Sequence, residues 1–167
     1  MSISLDPRHG SLVAEAERAL AATFPDRRIA LYRHPTVRKL ELRLSEPSLP
    51  YAFPQCGPGK KHERKIRLVD WQLGFTRANQ EALIRGLIHS DGCRSLNRFK
   101  VTLPSGRVAT YEYPRYFFSN LSGDIRTIFC DHCDLLGVRW TLSNPRNVSI
   151  ADRDSVARLD EFVGPKH

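Results

Sequence analysis

The sequence predicts an α+β fold made of two related halves. Apolar residues at helical spacing alternate along the chain with short period-two patterns, which favours helices and antiparallel strands in one domain. Pro58 lies 51 positions after Pro7, and Pro165 lies 51 positions after Pro114. A Gly-Pro segment followed by lysine closes each half. A tandem duplication explains this spacing better than chance does.

In the first half the periodicity is helical at first and then changes to alternation. A helix is predicted between Pro7 and Pro25, with the apolar stripe Leu12, Val13, Ala16, Ala19, Leu20 and Phe24. Two strands are predicted next, at Ile29–Arg33 and at residues 38–44. In the second strand the buried side is expected to carry Leu40, Leu42 and Leu44. The proline-rich residues 46–59 predict a loop.

The second half predicts seven elements in the order αββαββα. Its first helix is expected over about residues 77–90, with Thr76 as the N-cap. A hairpin follows at residues 98–103 and 108–113, with Phe99, Val101 and Leu103 expected on its buried side. A helix is then expected at residues 122–136, followed by strands at 138–142 and 147–150. A last helix begins at residue 153 and is capped by Asp152.

The first half contains only the later part of this repeat. Its first recognisable strand is Ile3-Ser4-Leu5, which corresponds to the second strand of the repeat. We therefore expect a truncated first repeat over residues 1–61, without its first helix and first strand. A linker over residues 62–75 and a complete second repeat over residues 76–167 would follow, and both repeats would share one structural domain.

Composition and charge favour a globular protein that binds a polyanion. The 167 residues are 41% hydrophobic, and the formal net charge is +8. An excess of Lys and Arg favours nucleic acid as the partner, and the alternative is a solvated basic surface without a ligand. We expect no membrane partner, because no apolar run approaches a transmembrane helix and residues 1–6 do not resemble a signal peptide. The expected location is the cytoplasm, associated with the nucleoid.

The four cysteines do not predict a metal centre. Cys130 and Cys133 flank Asp131 and His132 with the spacing of half a zinc site. A structural zinc needs four ligands, usually from two such pairs, and the sequence has no second pair with this spacing. We interpret the cysteines as reduced thiols.

Residues 84–92 resemble the nine-residue signature of the LAGLIDADG homing endonucleases. They keep its first apolar residue, Gly86, the Leu-Ile pair, a small residue at Ser90, and the closing Asp91-Gly92, whereas Arg85 and His89 depart from it. The two related halves are similar to the single-chain, two-motif members of this family. Residues 87–93, 113–118 and 157–166 also resemble an actinobacterial group described as LAGLIDADG-like or as DNA-binding regulators.

The resemblance implies a role for each motif position. Two motif helices pack side by side in the family, and Gly86 and Ser90 match the small residues that permit this contact. Asp91 matches the carboxylate that binds Mg²⁺, which would be a cofactor only in a cleaving enzyme. Lysines near that site assist catalysis, and the candidates by repeat position are Lys166, Lys60 and Lys61. The alternative for these lysines is phosphate contact or solvated charge.

The resemblance also implies that the strands form a saddle in the major groove of double-stranded DNA. The candidate contacts are the polar residues of the two hairpins of the second half: Arg98, Lys100, Thr102, Arg107, Arg139 and Arg146. Arginine suits bidentate contact with guanine and lysine suits phosphate. An ordinary solvated strand face is the alternative for each of these residues.

Two functions follow from the resemblance, and a third is unfavourable. The first is a DNA-binding protein on this scaffold, degenerate or regulatory and without cleavage. The second is a Mg²⁺-dependent site-specific DNA endonuclease, which needs a second carboxylate from a homodimer through the motif helix or from an N-terminal extension. An intein remnant would need a nucleophilic first residue and a terminal His-Asn pair, which Met1 and Lys166-His167 do not provide.

Overall fold

The structure is a computed structural model that describes residues 1–164. It divides into two compact units, with Pro58 the last residue of unit 1 and Gly59 the first of unit 2. Pro165, Lys166 and His167 lie outside the described residues. No helix of the described part has the length and apolar character needed to cross a membrane.

Unit 1 is a three-stranded antiparallel sheet with one long helix on it. Its elements are β1 (Ser2–Leu5), α1 (Gly10–Thr23), β2 (Ile29–Arg33), β3 (Leu40–Leu44) and the short α2 (Leu49–Ala52), and the strand order is β1-β3-β2. The small core joins Leu20 of α1 to Leu40 and Leu42 of β3. The predicted alternation of β3 is confirmed, because its three leucines are buried and Arg43 is exposed.

Unit 2 contains the αββαββα order that the sequence predicts, preceded by one additional helix. Its elements are α3 (Asp70–Ala78), α4 (Gln80–Asp91), β4 (Gly92–Thr102), β5 (Val108–Ser119), α5 (Gly123–Leu135), β6 (Thr141–Asn144), β7 (Asn147–Ile150) and α6 (Arg153–Asp160). The four strands form an antiparallel sheet in the order β4-β5-β7-β6.

The sheets of the two units repeat one topology. The order β1-β3-β2 of unit 1 is the order β5-β7-β6 of unit 2, and a helix follows the first strand of each set. Residues 1–58 contain no counterpart of α4 and β4. The pairing of Pro7 with Pro114 was wrong, because Pro7 follows β1 whereas Pro114 lies inside β5. Equal proline spacing indicated the duplication but not its register.

The first helix of unit 2 differs from the prediction. The expected continuous helix over residues 77–90 is two helices, which are separated at Asn79 by a non-helical backbone with φ −128° and ψ 44°. The Asn79 side chain donates to the Phe75 carbonyl at 2.9 Å, which is the local competition with helical hydrogen bonds that favours asparagine at helix ends. Thr76 therefore lies inside α3 and does not cap a helix.

One core holds the helices of unit 2 against its sheet. It contains Ile84 and Ile88 of α4, Tyr116 and Phe118 of β5, and Phe129 of α5, with further contributions from β7 and α6. The Phe118 and Phe129 rings stack with their centroids 4.3 Å apart. These contacts fix the C-terminal end of α4 beside the inner part of the β4–β5 hairpin, which positions the candidate site.

The outer half of the β4–β5 hairpin is exposed, which the alternation did not predict. Phe99 and Val101, expected on a buried side, are 40% and 37% exposed. The strands have 11 and 12 residues, so at ~3.4 Å per residue the hairpin is roughly 35–40 Å long. Only its inner end, at Tyr116 and Phe118, reaches the core. Phe99 and Val101 also lie on the face of the hairpin opposite to Tyr116 and Phe118, so the helices of the core do not cover them.

Candidate nucleic-acid interface

Asp91 is the last residue of α4, and its carboxylate accepts hydrogen bonds from two side chains. Asn120 Nδ2 lies 2.9 Å from Asp91 Oδ2, and Lys61 Nζ lies 3.4 Å from the same oxygen. The Asp91 side chain is 36% exposed. The cluster is therefore a partly solvated carboxylate held by one amide and one ammonium.

Asn120 is the residue that orients this carboxylate, and sequence reasoning did not identify it. Its Oδ1 accepts from the Ser122 backbone amide at 2.9 Å, so the amide nitrogen must face Asp91. Its own backbone donates to the Arg146 carbonyl, and Arg126 donates to its carbonyl. Asn120 is only 5% exposed. An asparagine two residues before the serine cap of α5 was the available signal, because such residues favour turns and helix starts.

Gly92 permits the close approach of α4 and β5 next to Asp91. A Cβ at this position would lie 2.6 Å from the Phe117 carbonyl oxygen and 2.9 Å from the Ile88 Cα, and both atoms belong to the backbone. Any side chain here would push the helix end away from the sheet. The Asp-Gly pair that ends the motif thus combines an exposed carboxylate with a contact that only glycine allows.

The residues around Asp91 do not by themselves fit a Mg²⁺ ion. Magnesium requires several oxygen ligands in near-octahedral geometry. Both neighbours of Asp91 Oδ2 are hydrogen-bond donors, Lys61 and Asn120, so this oxygen is surrounded by groups that do not ligate a cation. Across residues 1–164, no three His, Cys, Asp or Glu side chains come together as metal ligands. The cluster holds the Asp91 carboxylate in place with the Asn120 amide and the Lys61 ammonium.

The three candidate lysines have different surroundings. Lys61 contacts Asp91, whereas Lys60 Nζ pairs with Glu63 at 3.3 Å on an exposed surface. Lys166 lies outside the described residues. Only Lys61 is therefore placed beside the motif carboxylate.

The two small residues of α4 face solvent. Gly86 is exposed, and a Cβ there would meet no atom within 4 Å. Ser90 is also exposed, and its hydroxyl donates to the Leu87 carbonyl of its own helix at 2.9 Å. The helix surface between them is open to a partner.

The cations of the β4–β5 hairpin differ in how far they are neutralised. Arg98 forms an ion pair with Glu112 across the two strands. Lys100 in β4 and Arg107 in the turn are exposed, and neither side chain has an ion-pair partner in the described part of the chain. Thr102 is exposed beside them at the end of β4. The hairpin over residues 92–119 has five basic residues and one acidic residue, so its field is positive.

The two arginines expected on the second hairpin are not equivalent. Arg139 precedes β6 and donates to Asp152 Oδ1 at 2.6 Å. Asp152 is the N-cap of α6, and it also accepts from the Ser155 amide at 3.0 Å. These hydrogen bonds, first those from Ser155 and then that from Arg139, hold the pKa of Asp152 below its usual value. Arg146 is exposed in the β6–β7 turn. Arg139 thus has a structural partner, and Arg146 faces solvent.

The Cys-Asp-His-Cys segment lies on the buried side of α5. Cys133 is fully buried and Cys130 is 8% exposed, and both thiols are free. Burial, with a smaller contribution from nearby aspartates, raises the pKa of Cys130 to about 11, and burial also raises that of Cys133. Both are therefore protonated, unreactive core residues at neutral pH.

Comparison with solved structures identifies the class of fold. The crystal structure of I-DmoI, a LAGLIDADG homing endonuclease, in complex with DNA and Mn is similar to this chain with a TM-score of 0.59 and 19% sequence identity. The similarity covers 99% of this chain and 81% of the I-DmoI chain. No protein-family model matches the sequence, and no curated protein is significantly similar to it. The chain has the mixed helix–sheet fold of LAGLIDADG homing endonucleases, and at this identity the similarity concerns the fold alone.

Proposed function

We propose that this protein binds double-stranded DNA on a LAGLIDADG-type scaffold and does not cleave it. The observation that supports this most directly is the long basic hairpin β4–β5, which presents Lys100 and Arg107 without acidic partners in the described part of the chain. Cations that are not neutralised within the protein are available to replace the counterions of DNA phosphates. A regulatory role, in which binding is the whole activity, fits this arrangement.

The absence of cleavage follows from the chemistry around Asp91. Two-metal hydrolysis of a phosphodiester needs carboxylates that hold both cations. Unit 2 supplies one carboxylate at this position, and Lys61 and Asn120 both donate to it. The complex of I-DmoI with DNA and Mn supports divalent-metal use in that enzyme, while the donors around Asp91 oppose it here.

A Mg²⁺-dependent endonuclease is the second candidate, and the open surface of α4 is what favours it. Gly86 and Ser90 are exposed at the spacing of a helix contact, next to the Asp91 end of the helix. A homodimer through this surface would bring two copies of Asp91 together. Cleavage by such a dimer would rise with the square of protein concentration and would be abolished in Gly86→Arg.

Substitution of Asp91 separates the two candidates. In Asp91→Asn the amide keeps an acceptor for Asn120, so we expect duplex affinity to change by less than about twofold, measured by fluorescence anisotropy. Wild type should leave supercoiled plasmid intact with either Mg²⁺ or Mn²⁺. Nicking by wild type that Asp91→Asn lacks would establish the endonuclease. Loss of duplex binding in Asp91→Asn, with an unchanged circular dichroism spectrum, would overturn the proposed role of the hairpin.

A further inference from the structure

The β4–β5 hairpin has two chemically different faces. Residues directly opposite each other in an antiparallel pair share a face, and successive residues alternate. The face that reaches the core through Tyr116 and Phe118 carries Arg98, Lys100 and Glu112. We call the other side the aromatic face; its members are Cys93, Ser95, Asn97, Phe99, Val101, Ala109, Tyr111, Tyr113, Arg115 and Phe117.

Four rings and one guanidinium form a continuous row on the aromatic face. Phe99 and Tyr111 stack with centroids 5.6 Å apart and planes 21° apart, and Tyr113 meets Phe99 edge-on at 5.7 Å. The Arg115 guanidinium then lies 5.7 Å from the Tyr113 ring and 5.1 Å from the Phe117 ring. The row is most accessible at its outer end, where Phe99 is 40% exposed and Tyr111 is 46% exposed.

The charges on this face suit a polyanion. It carries no carboxylate, because the one acidic residue of the hairpin, Glu112, is on the opposite face with Arg98. Arg115 forms no ion pair within residues 1–164, and its buried Nε has no hydrogen-bond partner there. A guanidinium fixed between rings and not neutralised can offer its remaining N–H groups to a phosphate.

An intact duplex does not offer the flat surfaces of its bases to aromatic rings. Grooves expose base edges and thymine methyl groups, while the flat surfaces are hidden by stacking. Unpaired bases expose those surfaces, and proteins bind them by combining aromatic side chains with positive charge along the backbone. Partner proteins are a less suitable occupant, because the hairpin that carries the rings has a large excess of basic residues.

From this juxtaposition we propose that the aromatic face is a stacking platform for the unpaired bases of single-stranded nucleic acid. Phe99 and Tyr111 contact bases, and Arg115 contacts the adjacent phosphate. The proposal deepens the proposed DNA-binding function and rests on it for the source of the strand. It predicts that melted or single-stranded sites are preferred to an intact duplex.

Binding and photocrosslinking with defined oligonucleotides test the platform. Fluorescein-labelled dT20 and a 20-base-pair duplex are titrated with the full chain, with rU20 as a further arm that distinguishes DNA from RNA as the source. We expect dT20 to bind more tightly than the duplex. Phe99→Val/Tyr111→Val should weaken dT20 binding at least about tenfold, and valine retains the preference for a strand. Tyr51→Val, at a 90% exposed tyrosine of unit 1, is the control and should change nothing.

A 5-iodouracil oligonucleotide adds a readout that a purely structural role would not change. Crosslinks should map to the peptide that contains Tyr111 or Phe99. Crosslinks elsewhere, or equal dT20 affinity in the valine variant and wild type, would overturn the platform. Tight duplex binding without dT20 binding would contradict the stacking platform alone. Absence of binding to both the duplex and dT20 would contradict the proposed DNA-binding function. Tight binding of rU20 in place of dT20 would keep the platform and assign it to RNA.

Discussion

Asp160 joins α6 to the base of the hairpin through Arg94 and Tyr116. Arg94 donates to both of its oxygens at 2.8 Å, and the Tyr116 hydroxyl donates to Oδ1 at 2.6 Å. The hydrogen bonds from Arg94, followed by that from Tyr116, hold the pKa of Asp160 below its usual value despite partial burial. One carboxylate thus fixes a helix against two strands.

We expect this carboxylate to make stability depend on pH. A pKa that is lower in the folded state stabilises the fold above the unfolded value of about 4, and this stabilisation is lost as pH falls through the folded value. Asp160→Asn should lower the free energy of unfolding at pH 7 by about 1 kcal/mol and flatten its dependence on pH below about 4. Asp154→Asn, at a 91% exposed side chain, is the control. Urea denaturation at several pH values measures both, and parallel curves for Asp160→Asn and wild type would contradict the assignment.

We expect the fold to require glycine at position 92. Gly92→Ala places a methyl group against two backbone atoms that cannot rotate away, so it should destabilise the fold by about 1–3 kcal/mol or more. Gly86→Ala is the matched control, because its methyl group meets nothing and alanine is the better helix former by about 1 kcal/mol. Thermal denaturation compares the two variants. Equal midpoints would mean that the Asp-Gly pair does not require glycine for this contact.

At the element scale, local periodicity predicted most of the secondary structure of this chain. The bounds of β2 and β7 and the cap of α6 at Asp152 agree with the structure, because alternation and capping are local properties. The α3–α4 break at Asn79 and the exposure of Phe99 were missed. The break depends on a local hydrogen bond of the Asn79 side chain that apolar periodicity does not reveal, and the exposure of Phe99 depends on which hairpin face meets the core.

The candidate site was predictable to a smaller extent than the elements. Asp91 and Lys61 were identified from the motif and from repeat position, and the structure brings these two side chains together. Asn120 and the aromatic row were not identified, because they depend on tertiary contacts and on the strand register. The pairing of Arg98 with Glu112 likewise follows from register, which the two separate strands did not reveal.

We expect the ion pair between Arg98 and Glu112 to weaken DNA binding by the hairpin. Glu112→Gln removes the only carboxylate of the hairpin and frees Arg98 for phosphate. Duplex affinity should rise several-fold, and the slope of log K against log salt should steepen by up to about one unit. Glu161→Gln removes one carboxylate outside the hairpin, leaves Arg158 paired with Glu81, and is the control of equal charge. Equal changes in both variants would show that net charge alone, and not the hairpin, determines binding.

In the whole molecule, the long basic hairpin belongs to only one of the two duplicated units. Two units repeat one sheet topology, and the complete unit adds the long hairpin and the motif helix. The fold is shared with an endonuclease, while the chemistry at Asp91 is that of a carboxylate bound by donors. A shared fold does not imply a shared function, because function depends on the residues at the site.

The salt dependence of duplex binding by hairpin variants shows whether the protein contacts DNA phosphates through β4–β5. Fluorescence anisotropy of a labelled 30-base-pair duplex, titrated between 50 and 300 mM NaCl, gives log K against log salt for wild type and for Lys100→Gln/Arg107→Gln. We expect this double variant to lose about two units of slope, close to one per phosphate contact. Arg77→Gln/Arg153→Gln removes two exposed helical cations, and its slope should match that of wild type. Equal slopes in the two double variants would contradict DNA binding through the hairpin.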